Sequence, residues 1–183
     1  MHHRIFTVLK HKENMTMRKP SSLLVTLMEL KKYQEIAFYD LLLSPVSLSL
    51  PEVVRAGSYW LHHIHIVDKI FRAHLCGETH GFTSTVSDNI PELQQLRQEA
   101  MNSNDWLIAY AGSMNADTAT ESVQFTFTDG APGDMTREEI LLHLLTHASY
   151  HLSAFSPLLE KNQLPIPSML LTTMLGSSQG YGL

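Results

Sequence analysis

Residues 136–161 read TREEILLHLLTHASYHLSAFSPLLEK, a stretch with a helix start signal, helical apolar spacing and three histidines. Thr136 followed three residues later by Glu139 is a capping box, in which each side chain satisfies a free backbone N–H at the start of a helix. Beyond it Ile140, Leu141, Leu144, Leu145, Ala148, Leu152, Phe155 and Leu159 recur at helical spacing and predict a helix to about Lys161, with Pro157 kinking its last turns. His147 and His151 stand four residues apart on it, so their β-carbons lie roughly 5–6 Å from each other and both rings can turn toward one ion. The pair shares the side of Ile140, Leu144 and Phe155 and faces the interior, where bare imidazoles are poorly solvated. His143 lies farther round, toward the edge of that face.

Working outward, Ser22 to about Leu43 is rich in helix formers and reads as a first helix, broken by Pro45 and the serines up to Ser49. Ser49-Leu50-Pro51-Glu52 resembles a second capping box with proline in the first turn. The helix it opens carries Val53, Gly57, Trp60, Leu61, Ile64, Val67, Phe71 and Leu75 on one face and ends near Gly77. After a polar loop, Pro91 opens a third amphipathic segment reaching Met114, interrupted by Asn102-Ser103-Asn104. From Glu121 to Asp129, Val123, Phe125 and Phe127 alternate with polar residues before an Asp129-Gly130 turn, which is the period of a strand. A lone strand makes no sheet, so it reads as a short extended crossing with at most a small hairpin partner. Four long helices with one crossing before the last predict an all-α protein, a four-helix bundle. That domain is expected over residues 21–168, after a flexible basic leader over 1–20 and before a short helix at Met169–Leu175 and a flexible tail from Gly176, within 169–183.

The composition agrees: 183 residues, 44% apolar and 17% charged, suit one globular domain with a substantial core. Five of the 13 basic residues fall in the first twenty positions, and the remaining eight face seventeen acidic residues. A body so acidic repels a phosphate backbone, so no nucleic-acid partner is expected. Apolar runs are too short to cross a bilayer and no signal peptide opens the chain, so no membrane association and a cytoplasmic location are expected. Cys76, the sole cysteine, reads as a small buried apolar residue, and Trp60 and Trp106 read as core.

Eight of the 11 histidines cluster around the second and fourth helices. The residue after His147 is Ala148, so the glutamate base of a zincin is missing and a third ligand to an ion must come from another helix. His63 and His65 lie to either side of the second helix's apolar face, and the helical wheel does not choose between them; His62 points to solvent. Asp68, close to that face, suits either orienting a ligand or a salt bridge.

The segment from His143 through His147 to His151, with His63-Ile64-His65-Ile66-Val67-Asp68 earlier, resembles the DinB/YfiT-like family of metalloenzymes over roughly residues 22–163. That resemblance implies an up-down-down-up bundle and a single divalent ion, often nickel, zinc or iron, held by one histidine of the second helix and an H-x-x-x-H pair of the fourth. Carried onto this sequence the three are His63, His147 and His151, the five-residue step from His63 to Asp68 selecting His63 over His65. Many relatives continue the last histidine with Arg-Gly-Gln, where this chain has Leu152-Ser153-Ala154.

Three imidazoles leave a coordination position open, the arrangement of a catalytic site. The resemblance implies a transferase, some relatives using a low-molecular-weight thiol, or a hydrolase acting on a small molecule, and a homodimer. His65, His143, Tyr59, Tyr150 and Asp68 are candidate pocket residues. The alternative is a noncatalytic binding or stress-response protein whose metal holds the bundle together.

Overall fold

The computed structural model describes residues 23–178. The basic leader over 1–20 and the residues after Ser178 lie outside them. The chain is mostly helical. Helix α1 spans Leu23–Leu42, and a single turn, α2, spans Pro45–Leu48 with the Ser44 hydroxyl accepting the Ser47 N–H. Helix α3 runs Pro51–Cys76, capped at the start by Leu50 without a side-chain bond. The Ser49 hydroxyl donates to the Val46 carbonyl at 2.6 Å and closes the preceding turn, so the capping box expected at Ser49–Glu52 does not form. Gly77 ends α3 in the left-handed region at φ 69°, where a side chain is strained, and the Glu78 N–H reaches back to the Ala73 carbonyl.

Helix α4 spans Leu93–Ser113 without a break at Asn102-Ser103-Asn104. Asn104 is buried, and its amide donates to both the Ala100 carbonyl and Glu35, so a residue that disfavours helices locally is held by a tertiary partner. A short turn, α5 (Ala116–Ala119), leads into a two-stranded antiparallel hairpin, β1 (Ser122–Thr126) and β2 (Pro132–Thr136), with Phe125 opposite Gly133. The expected crossing is thus a strand with a small partner. Helix α6 (Arg137–Ala154) begins with the predicted capping box, Thr136 and Glu139 each bonding the other's backbone. The expected kink at Pro157 is a break at Phe155, after which α7 (Ser156–Lys161) starts with that proline in its first turn. The last described element, α8 (Leu171–Ser178), continues through Gly176, where the sequence suggested a flexible tail.

Helix α1 packs along both α4 and α6, and α3 packs against α6 and α4. One set of buried side chains gathers Phe38, Tyr39, Leu42, Leu61, Ile64, Leu96, Leu152 and Phe155. A second gathers Met28, Val67, Phe71, Leu107, Phe125, Ile140 and Leu144 beneath the hairpin. No described helix is long and apolar enough to cross a membrane.

Candidate metal centre

The apolar seam that buries α3 against α6 also turns three imidazoles toward each other. Nε2 of His63 lies 3.0 Å from Nε2 of His147 and 3.2 Å from Nε2 of His151. Among the described residues these three form the one cluster of histidine, cysteine or acidic side chains whose ligand atoms all lie within 4.8 Å of one another. Three nitrogens each ~2.0–2.1 Å from a shared zinc-sized ion stand roughly 3–3.4 Å apart, so the separations suit one ion.

Nδ1 of His63 lies 2.8 Å from the backbone carbonyl oxygen of Thr85, in the segment between α3 and α4. A carbonyl only accepts, so Nδ1 carries a hydrogen and Nε2 is the nitrogen turned toward the other two rings. Burial, followed by the neighbouring imidazoles, pushes the His147 pKa down to about 3, and burial with His63 lowers that of His151. Both rings are therefore uncharged at neutral pH, the form that binds a metal ion. The indole of Trp60 stacks on His151 at 4.7 Å and 20°, and Tyr150 meets the same ring edge-on at 5.1 Å. Trp60 is half-buried: it packs against the core, as expected, and its indole also forms part of the wall of this cluster.

The other predicted residues divide. His143 lies beside His147 with ring centres 5.6 Å apart, and packs on Phe71. Tyr59 meets Trp60 edge-on. His65 is not in the cluster: it is buried on the α4 side, 3.5 Å from Glu99, and burial together with Lys69 pushes its pKa down to about 4. His62, expected to point to solvent, is only 9% exposed. It lines a cavity with Ile66 and, among others, Phe82, Ser84, Val86 and Asn89 of the segment after α3, which covers the outer side of the helix there. Cys76, expected to be buried, is exposed as the final residue of α3.

Asp68 takes the salt-bridge role. Lys31, fully buried, donates to Asp68 at 2.6 Å, to Glu35 at 2.5 Å and to Asn104 at 3.3 Å. Nearby carboxylates raise the Lys31 pKa against the opposing effect of burial. One ammonium cannot neutralise both acids: burial outweighs Lys31 at Asp68 and, with the Glu35 charge, raises its pKa to about 7. Lys31, Glu35, Asn104 and the Thr85 carbonyl were absent from the sequence-based candidates. Only the polar residues on α1's apolar side, at helical spacing, were a readable signal for the first two.

A mostly helical protein with three converging imidazoles is the class that fold and cluster define. A profile of the DinB family matches residues 49–161, and the chain belongs to that family. No curated protein and no solved structure matches the chain.

Proposed function

We propose that the protein is a divalent-metal-dependent enzyme, a transferase or hydrolase, in which His63, His147 and His151 hold one nickel, zinc or iron ion. The observation that supports this most directly is the meeting of three Nε2 atoms with the His63 hydrogen fixed on the opposite nitrogen by Thr85. Three protein ligands leave room for water or substrate, unlike a closed structural site. A divalent ion there supplies a Lewis acid that acidifies water, polarises a carbonyl or holds a thiol as thiolate. The chain's own residues prepare for it. Thr85 aims the His63 lone pair, burial keeps His147 and His151 unprotonated, and Trp60 shields one face of His151 from water.

We assign the four long helices to an up-down-down-up bundle, in which the hairpin after α5 carries the chain to the start of α6. The setting that fits this reading is a cytoplasmic homodimer acting on a small molecule, with a thiol as co-substrate of the transferase form. The test is turnover by metal-loaded protein in two screens, thiol transfer to an electrophile and hydrolysis of small amides and esters. Turnover in the parent and its loss in a folded His151→Ala variant are expected. A metal-dependent rise in melting temperature with no turnover in either screen would replace the enzyme with a noncatalytic, metal-stabilised binding protein.

A further inference from the structure

The indole that stacks on His151 also forms one wall of a cavity of about 380 Å³. Arg55 and Tyr59 of α3 line it on one side, and Ser87, Asp88 and Ile90 of the segment before α4 line it on the other. Arg55, Tyr59 and His63 follow each other at four-residue steps along α3, so guanidinium, phenol and imidazole form one stripe leading to the three histidines. Arg55 and Asp88 bring opposite charges to this small space. No ion pair joins them, and among the described residues neither side chain has a hydrogen-bond partner. Both are exposed, so neither is needed to hold the core.

Separate, unpartnered charges of opposite sign beside an aromatic wall complement a ligand that carries both charges close together on an apolar stem. We propose that this cavity seats the substrate by a zwitterionic end group of the amino-acid kind. Its carboxylate is taken by Arg55, its ammonium by Asp88, and its stem rests on Trp60 and Tyr59. The reactive end then extends past the indole toward the imidazoles, a direction that rests on the metal-centre reading above, whereas the seat itself does not.

The chain has two tryptophans, and Trp106 packs instead on Tyr110 beneath Arg72, so a Trp106→Phe background leaves Trp60 as the fluorescent reporter. Three probes share a thiol: L-cysteine carries both charges, cysteamine only the ammonium, and 3-mercaptopropionate only the carboxylate. Each is titrated into metal-free and cobalt(II)-loaded protein, with Trp60 emission reporting the cavity and thiolate-to-cobalt absorption reporting the metal. L-cysteine is expected to half-saturate the emission change at about a tenfold lower concentration than either analogue, the scale of one charge-assisted hydrogen bond. Arg55→Ala removes its advantage over cysteamine, and Asp88→Asn its advantage over 3-mercaptopropionate. Equal saturation by all three, an advantage that survives both substitutions, or no response from Trp60 would overturn the seat. Discrimination at Trp60 without any cobalt band supports the seat and counts against the metal centre instead.

Discussion

The Nδ1–H of His63 donates to the carbonyl oxygen of Thr85 at 2.8 Å, and that bond decides which nitrogen of His63 meets His147 and His151. A side chain on a packed helix is thus oriented by a backbone atom of the following segment. The partner of a ligating histidine's second nitrogen typically accounts for 10–100-fold in metal affinity. Thr85→Gly keeps the carbonyl but frees the backbone that presents it. Metal affinity is expected to fall by up to about tenfold with little change in melting temperature, as measured by competition with a chromophoric chelator.

Asp68 gives a pH dependence whose sign is fixed by the direction of its shift. Its folded pKa of about 7 lies above the ordinary carboxylate value of 3.8, so between them the folded chain binds a proton that the unfolded chain does not. The stability this contributes is fully present below the unfolded value and is lost as pH rises through about 7. Asp68→Asn removes the proton without removing the shape. The urea-measured cost of the substitution is therefore expected to be smaller at pH 8 than at pH 5, by about 2 kcal/mol. A cost independent of pH would contradict the raised titration of Asp68.

Lys31 stands at the centre of the same network, fully buried between Glu35 and Asp68. Lys31→Met leaves the buried acids Glu35 and Asp68 without their cation, a change that typically costs about 3–5 kcal/mol. The urea midpoint should drop accordingly. A double variant, Lys31→Met with Asp68→Asn, should recover part of the loss because only one acid is left unpaired.

Thr136 and Glu139 satisfy each other's backbone N–H groups at the start of the helix that carries two of the three imidazoles. Thr136→Ala removes one half of the box and should cost about 1 kcal/mol. Thr136 lies about three turns from His147, so calorimetry should show a lower melting temperature with metal content unchanged.

Much of this was readable in the sequence because the signals were local. The capping box at Thr136, the apolar seam of α3 and α6, and the alternation around Phe125 each follow from residues within a few positions of one another. The pairing of His147 with His151 was legible for the same reason, whereas choosing His63 over His65 needed the family resemblance. Where the sequence reading failed, a distant partner had decided the outcome. Asn104 reads as a helix interruption until Glu35 is set against it, and His62 reads as exposed until residues 81–89 cover it. Ser49 shows a different failure, since its hydroxyl was already engaged by Val46 and was not free to cap α3. The Thr85 carbonyl left no trace at all, because a backbone acceptor in a loop has no residue-type signature.

Metal content decides whether the three imidazoles hold one ion. Elemental analysis of tag-free protein, purified without added metal and after reconstitution with nickel, zinc, manganese and iron(II), tests it most directly beside His63→Ala and His147→Ala. About one divalent ion per chain is expected in the parent, and background content in both folded variants. Background content in all three proteins, persisting after reconstitution, would contradict it.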